Sequence, residues 1–249
     1  MIKTGIVCGG GLGTRLYPLT YATNKHLLPV YDKPMVYYPI QTLVNAGIKD
    51  VVIVTGGPHA GHYMQVLRDG KDLGLDHIYY SFQAQEGGIS EAIACAEPYA
   101  GGKDVAVILG DNCTDADISK EVKEFKDGAT IFLKRVDDPE RFGVVKFAPE
   151  RYPDDPELTV EEIVEKPSNP PSNFAVTGLY LYDKSVFDRI RNLKPSARGE
   201  LEVTDLNNSY LKDGKLKWST LEGYWRDCGT FETLLETSNY WRGLKGKER

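Results

Sequence analysis

Residues Cys8 to Thr20 read CGGGLGTRLYPLT and sit directly behind the first apolar run, KTGIV. Gly9, Gly10, Gly11 and Gly13 carry no Cβ, so successive backbone N–H groups in such a loop can turn toward one cluster of oxygens. Thr14 and Arg15 follow, the latter with a planar fork of donors suited to phosphoryl oxygens, and Lys25 stands ten residues beyond in NKHLLPVYDKP. Polyphosphate capture at a strand end is the chemistry these residues suggest; a tight turn beside a surface arginine is the competing reading. Spacing excludes two familiar phosphate loops. A Walker loop puts Lys and then Ser or Thr after its last glycine, whereas Thr14 and Arg15 follow Gly13. A dinucleotide fingerprint needs a glycine at its sixth place, which is Thr14 counted from Gly9 and Leu16 counted from Gly11, and Pro18 opposes an immediate helix.

LGDN, Leu109 to Asn112, closes the most apolar run of the chain. An aspartate at a strand end, with a side-chain amide beside it, can hold a hard divalent cation against phosphates, although Asp-Asn is also ordinary turn chemistry. Asp227, in YWRDCGT just ahead of a helical stretch from Thr230, is a second carboxylate that could share such a cation. EKP, Glu165 to Pro167, sets a lysine beside a glutamate. That pair can grip a phosphate and a sugar hydroxyl respectively, or it is a solvent-facing ion pair of small worth.

Bringing these loops together requires a scaffold with adjacent strand ends. DVVIVTG at Asp50–Gly56, HIYYSFQ at His77–Gln83 and DVAVILGDN at Asp104–Asn112 read as strands, as does GIV near the start. Between them, Met35–Ile48 and Ile89–Gly102 carry helical periodicity, and glycine closes each stretch. This βαβαβ rhythm predicts a wound, mostly parallel mixed α/β sheet, Rossmann-like, with helices on both faces and ligands at the carboxyl ends of strands. After Ala129 the runs ATIFLKRV, GVVKFA, EEIVEKP and FAVTGLYLYD follow one another with a single obvious helix at Ser185–Leu193, which predicts an extension of that sheet rather than a second wound domain. VTDLNNSYLKDG and TFETLLETSNYW are helical by period, with Thr204 and Thr230 as N-caps, and the proline-rich Phe147–Thr159 reads as a surface excursion.

At 249 residues, with no linker and no internal repeat, the chain reads as one domain. Its net charge of −6 would repel a nucleic-acid polymer, while local cations can still hold small anions. No signal peptide or membrane-length apolar run is present, which implies a cytoplasmic protein with no membrane association. Cys8, Cys95, Cys113 and Cys228 lack metal or disulfide spacing and read as small free thiols. His59 and His62 read as part of a loop running into an exposed helix, Met35, Tyr37, Tyr38 and Ile40 as the inner face of a helix, and the tail from Arg242 to Arg249 as a solvated terminal turn.

GGGLGTRLYPLT, NKHLLPVYDKPMVYYPIQTL, VILGDN, DPERFGVV, IVEKP, FAVTGLYLYD, LKPSARGELEVTDLN and WRDCGT occur in order over nearly the whole chain. Together they resemble the sugar-1-phosphate nucleotidylyltransferase family, most closely its glucose-1-phosphate thymidylyltransferases. The resemblance implies a nucleotide-diphospho-sugar transferase-like fold and condensation of a nucleoside triphosphate with a hexose-1-phosphate, releasing pyrophosphate. It implies dTTP, with UTP as the alternative, glucose-1-phosphate, and Mg²⁺. By motif, Gly9, Gly10, Gly11, Gly13 and Thr14 would line the nucleotide, Arg15 would hold the β and γ phosphates, and Lys25 would bridge the reacting phosphates. Asp111 and Asp227 would carry the metal, and Lys166 would bind the sugar phosphate. Leu109, Gly143, Glu165 and Val176 would face the hexose, while Gln83 would read the pyrimidine edge with Gly88 close to the base. The halves would divide near 1–128 for the nucleotide and 129–249 for the sugar phosphate.

The sequence departs from that pattern at QAQEGGISEA, where a proline before the glycine and a Leu-Ala-Gln run after it are usual; Ile89, Ser90 and Glu91 stand here instead. It also ends soon after the helical stretch holding Leu234 to Trp241, where longer relatives continue into a helical tail with an effector site, so feedback regulation of that kind is not expected, and a homo-oligomer is. A rival glycosyltransferase would show a DxD pair ending a strand, but Asp115 and Asp117 follow LGDN. A sensor without turnover fits poorly with Arg15, Lys25, Asp111, Lys166 and Asp227 all present.

Overall fold

The computed structural model describes residues 2–148 and 159–247, so most of the proline-rich excursion lies outside the described residues. The first half contains strands β1 (Thr4–Gly9), β2 (Pro29–Val30), β3 (Lys33–Pro34), β4 (Asp50–Gly56), β5 (His77–Gln83), β6 (Val105–Leu109) and β7 (Asn112–Thr114). Helices α1 (Tyr37–Asn45), α2 (Ala60–Leu67), α3 (Ile89–Cys95), α4 (Glu97–Ala100) and α5 (Ser119–Glu124) alternate with them. The second half adds β8 (Ala129–Arg135), β9 (Gly143–Phe147), β10 (Val160–Glu165), β11 (Phe174–Tyr182), β12 (Leu216–Thr220) and β13 (Trp225–Asp227). Its helices are α6 (Val186–Arg191), α7 (Val203–Lys212) and α8 (Phe231–Lys247).

Side-chain alternation builds a layer of helices on each face of the sheet. Along β1, Ile6 and Cys8 point to one face with Val52 and Val54 of β4, where α3, α6 and α7 cover them. Val7 points to the other face with Val51 and Ile53, under Ile40 and Leu43 of α1, Tyr63 of α2 and Val122 of α5. Strands buried on both faces must lie inside such a three-layer arrangement, which is why these runs are apolar without a polar period. Of the four residues expected on an inner helix face, Tyr38 and Ile40 of α1 are buried and Tyr37 is half-buried, while buried Met35 stands just ahead of the helix.

The main sheet has nine strands in the order β10-β9-β11-β6-β1-β4-β5, with β8 on β11 and β12 on β8. β5, β4, β1 and β6 run parallel, β11 opposes β6 and β8, and β12 is parallel to β8. Only β11 and β10 therefore run against the rest, and the sheet is mixed but mostly parallel.

The important irregularity is at β11. One edge pairs with β8 throughout, with a register shift between Val176 and Tyr180. The other edge pairs with β9 at Ala175 and with β6 from Leu179 to Tyr182. Val176, Thr177 and Gly178 thus face a gap between the end of β6 and the start of β9. That gap adjoins the carboxyl ends of β1 and β6, where the glycine loop and LGDN emerge.

Several local expectations change. β6 stops at Leu109 because Gly110 and Asp111 turn the chain into β7, which pairs with β13 rather than continuing the sheet. The helix from Ile89 is broken into α3 and α4, since Pro98 supplies no N–H to continue α3 and sits in the first turn of a new helix. Glu202, not Thr204, is the N-cap of α7; Thr204 lies in its first turn with its hydroxyl turned to the site. Thr230 does cap α8, accepting from the N–H of Thr233 at 3.2 Å. β12, β13 and α5 carried no clear pattern in the sequence. Among the described residues, no helix is long and apolar enough to cross a membrane.

Candidate active site

A cleft of about 680 Å³ opens at the β11 gap. Gly10, Gly11, Gly13, Thr14, Arg15, Lys25, Gln83 and Gly88 line it from the first half, together with Leu109 and Asp111. Gly143, Glu165, Lys166, Val176 and Asp227 line it from the second. Gly9 is the exception. Its carbonyl turns inward to accept from the Tyr63 hydroxyl at 2.8 Å and from Asn24 Nδ2 at 3.3 Å, and a Cβ there would meet Tyr63 Oη at 2.7 Å. Gly9 therefore anchors the loop from below instead of facing the cleft.

The loop is held by contacts at both ends. Thr20 Oγ1 donates to Gly13 O at 2.8 Å, Leu12 N donates to Glu86 Oε1 at 2.9 Å, and buried Leu16 pins the short turn carrying Arg15. Gly13 has φ 64°, and a Cβ on it would lie 2.9 Å from Lys25 Cβ, so the lysine stem passes close beneath the loop only because that atom is missing. Gly229 plays the same part at the far wall, where a Cβ would lie 2.9 Å from Arg15 Nη2 and 3.4 Å from Asp227 Oδ2.

The β7–β13 ribbon brings the two aspartates together. Asp227 is opposite Asn112 in the ladder, and Cys228 N donates to Asp111 O at 2.8 Å. Asn112 fills the gap beside β11, its Oδ1 accepting from Gly178 N at 3.0 Å and from Trp225 Nε1 at 2.7 Å. Below the ribbon, Cys113 and Cys228 lie with sulfurs 3.5 Å apart as buried free thiols, packed against Leu234 and Trp241 of α8.

Charge is closely balanced at the cleft centre. Lys25 Nζ is 2.6 Å from Asp111 Oδ2, and Arg141 donates to both Asp227 oxygens at 2.8 and 3.2 Å while holding Asp138 at 2.6 Å. Burial pushes the Asp111 carboxyl up, but the Lys25 ammonium, helped by the Asn112 amide, overcomes this and holds it well below the usual carboxylate range. Asp227 goes the other way. Burial and the neighbouring Asp111 charge raise it to about 6 against the pull of Arg141, Arg15 and Lys25. His26, buried and next to Lys25, is lowered to about 3 and is a neutral ring; its Nδ1 lies 2.7 Å from Asn24 Oδ1 and 2.8 Å from Tyr63 Oη.

At the opposite end, Glu165 Oε2 accepts from Thr204 Oγ1 at 2.6 Å, and its Oε1 lies 3.4 Å from Lys166 Nζ and 3.5 Å from Arg198 Nη2. Lys166 has φ 42° although it is not glycine and precedes proline. Such a backbone costs about 1–3 kcal/mol and persists where the surroundings fix it, here with Lys166 N donating to Phe142 O at 3.0 Å. Asn207 Oδ1 accepts from Tyr182 at 2.7 Å, while its Nδ2 has no hydrogen-bond partner among the described residues.

Arg141, Arg198, Asn207, Glu86 and Trp225 line the same cleft and were not singled out from the sequence, and Thr204, read there as an N-cap, lines it too. Arg141 and Arg198 sit in the quoted blocks DPERFGVV and LKPSARGELEVTDLN, but a lone arginine among charged loop residues carries no spacing signal. Asp115 and Asp117 serve turns instead: Asp115 Oδ1 accepts from Tyr224 N at 2.7 Å, and Asp117 Oδ1 from Ser119 N at 2.9 Å. His59 and His62 stack with ring centroids 5.2 Å apart at the start of α2. Two carboxylates with no third His, Cys, Asp or Glu grouped around them among the described residues form an all-oxygen donor pair, suited to a hard cation that completes its shell with ligand oxygens and water.

The nucleotidyl transferase family model matches residues 4–242. The chain belongs to that family. Among curated nucleotidyltransferases, a glucose-1-phosphate thymidylyltransferase of Neisseria gonorrhoeae is 43% identical over 242 residues, which is 95% of this chain and 81% of the relative. One from Mycobacterium tuberculosis is 41% identical, over 98% of this chain and 84% of the relative. Among solved structures, a Bacillus anthracis protein provisionally named glucose-1-phosphate thymidylyltransferase, in complex with sucrose, superposes with a TM-score of 0.87 at 44% identity, covering 95% and 94% of the two chains. A UDP-glucose pyrophosphorylase complexed with UDP-glucose superposes with a TM-score of 0.83 over the full length of both chains at 24% identity, a likeness of fold alone. The mixed, mostly parallel sheet with helices on its faces is thus the architecture that this nucleotidyltransferase shares with its structural neighbours.

Proposed function

We propose that the protein condenses dTTP with glucose-1-phosphate to give dTDP-glucose and pyrophosphate. The observation that carries this reading is the convergence of Arg15, Lys25, Asp111, Lys166 and Asp227, drawn from distant parts of the chain, on one cleft with Gln83 at one end and Glu165 at the other. The relatives named above supply the substrate identities. The chain acts as one unit, residues from about 1–128 holding the nucleotide and those from about 129–249 the sugar phosphate, although Asp227 crosses that division to serve the phosphates.

The nucleophile is an oxygen of the sugar phosphate, already ionised at neutral pH, so no side chain has to remove a proton. It attacks the α-phosphorus; the new P–O bond forms as the bond to the bridging oxygen of pyrophosphate breaks, and pyrophosphate leaves with that electron pair. Catalysis is then alignment and charge stabilisation. The glycine loop and Arg15 orient the β and γ phosphates, Lys25 bridges the reacting phosphates, screening the attacking oxygen's charge from the α-phosphate and offsetting the charge that builds on the departing oxygen, and Lys166 holds the sugar phosphate in line. Glu165, fixed by Thr204, accepts from hexose hydroxyls beside Leu109, Gly143 and Val176. Asp111 and Asp227 would hold Mg²⁺, which fits their all-oxygen pairing and the raised Asp227 carboxyl; when bound, the ion supplies positive charge to the phosphates.

The test is pyrophosphate release from a matrix of dTTP, UTP, dCTP and ATP against several hexose-1-phosphates with Mg²⁺. The highest kcat/KM is expected for dTTP with glucose-1-phosphate. A matrix with no pyrophosphate in any cell removes the transferase reading, and a UTP preference above tenfold replaces the nucleotide.

A further inference from the structure

Gln83 ends β5 with its side chain almost wholly buried in the cleft wall. Its Nε2 donates to Glu91 Oε2 at 2.7 Å and to Gly88 O at 3.1 Å. Glu91, in the first turn of α3, is held in turn by Gly87 N, which donates to the same Oε2 at 3.0 Å. A Cβ at Gly87 would overlap that carboxylate, so the glycine is what lets the acid approach. The other end of the Gln83 amide is unspent. Oε1 lies 2.9 Å from where a Cβ on Gly10 would be, beside the glycine loop, and among the described residues no protein donor reaches it.

An amide can present either its oxygen or its nitrogen to a ligand. An ionised carboxylate accepts only. If Gln83 turned over, its oxygen would face the Glu91 carboxylate and the Gly88 carbonyl, two acceptors at hydrogen-bonding distance with no proton between them. Glu91 and Gly88 together leave one orientation.

Resting on the proposed function, which places the nucleobase at this end of the cleft, we propose that Glu91 is a positioning residue that locks Gln83 with its carbonyl oxygen toward the base. The site then selects a base whose ring nitrogen carries a proton between two carbonyls, as in thymine and uracil, and rejects cytosine, whose ring nitrogen at that place is an acceptor. The lock does not separate thymine from uracil, because both present the same edge. Sites built to pair a particular hydrogen-bonding group discriminate far better than apolar ones, since the mismatch strands a buried polar atom.

Equilibrium binding of dTTP, dUTP and dCTP to wild type, Glu91→Gln, Glu91→Met and Gln83→Ala tests this without needing turnover, with kcat/KM for the same triphosphates measured alongside. Glu91→Met should lower the dTTP-to-dCTP affinity ratio by about tenfold or more, and Glu91→Gln by less, because its amide oxygen can still accept from Gly87 N and Gln83 Nε2, with dTTP-to-dUTP within about twofold of wild type in both. The KM for glucose-1-phosphate should stay within about twofold. A dTTP-to-dCTP ratio unchanged in both Glu91 variants but collapsed in Gln83→Ala overturns the lock while leaving Gln83 as the reader; a ratio unchanged in all three variants overturns both. Normal triphosphate selectivity with no pyrophosphate released from the triphosphate in the presence of any sugar phosphate is the separate failure of the proposed function.

Discussion

Asp227 is expected to trade stability for activity, and the structure sets the size of the trade. Its carboxyl stands at about 6 instead of 3.8, raised by burial and by Asp111, and that value already includes the pull of Arg141, Arg15 and Lys25. A difference of this size corresponds to about 3 kcal/mol for keeping the group ionised in the fold at neutral pH. Asp227→Asn keeps the shape and an oxygen for Arg141 to donate to, but removes the charge. The variant is therefore expected to be more stable than wild type by up to about 3 kcal/mol above pH 7, roughly 6–10 °C in Tm for a chain of this length, and to lose at least ~100-fold in kcat.

The pH dependence carries the sign. A carboxyl whose folded pKa is raised binds its proton more tightly in the native state, so wild-type stability falls as pH climbs from about 4 to about 6 and is level beyond. The variant lacks that slope. Urea unfolding at several pH values between 4.5 and 8, without divalent cation, should give a stability difference that is small at the acid end, grows to pH 6 and then stays constant. Added Mg²⁺ should narrow it, because only the wild type has two carboxylates to occupy. A variant less stable than wild type at pH 7.5, or a difference that does not change with pH, would refute the account of two repelling carboxylates.

Three further outcomes follow from the same geometry. Asp111→Asn should cut kcat by ~100-fold or more and also reduce the pH 4–6 stability slope without abolishing it, since burial raises Asp227 first and the Asp111 charge adds to it; an undiminished slope in urea melts would deny the coupling. Gly88→Ala forces a Cβ onto a residue with φ 95° and within 2.7 Å of Leu201 O, so it should cost about 1–3 kcal/mol and raise the KM for triphosphate more than that for sugar phosphate. Thr204→Val removes the 2.6 Å hydrogen bond that fixes Glu165 and should raise the KM for glucose-1-phosphate about tenfold with the triphosphate KM unchanged; steady-state kinetics with each substrate varied decides it.

The strands and the cleft residues were readable in the sequence to different degrees. Asp50–Gly56 and His77–Gln83 are strands to the residue because β-branched and aromatic runs bounded by glycine or polar residues leave little choice. That the glycine loop lines the cleft was readable because missing Cβ atoms and a following arginine act locally. What could not be read was anything decided across the sheet. Gly9 resembles its neighbours in sequence, yet Tyr63, fifty-four residues away, takes its carbonyl. Thr204 has the chemistry of an N-cap, yet Glu165 takes its hydroxyl. Arg141 acquires meaning only once the β7–β13 ribbon puts Asp227 in front of it.

The same ribbon explains how the fold tolerates so much charge in one cleft. Lys25 neutralises Asp111 and Arg141 neutralises Asp227, so neither carboxylate is left as a buried unpaired ion, which would cost several kcal/mol. Yet Lys25 cannot hold Asp111 fully and also stabilise a reacting phosphate. Anything that brings positive charge to the two aspartates frees the two cations for phosphate, and anything that brings phosphate draws the cations away and leaves the aspartates wanting a positive partner. The raised Asp227 carboxyl is the residue of that incomplete balance. The fold thus sets up an exchange of partners among four side chains, Lys25, Asp111, Arg141 and Asp227, that already line one cleft.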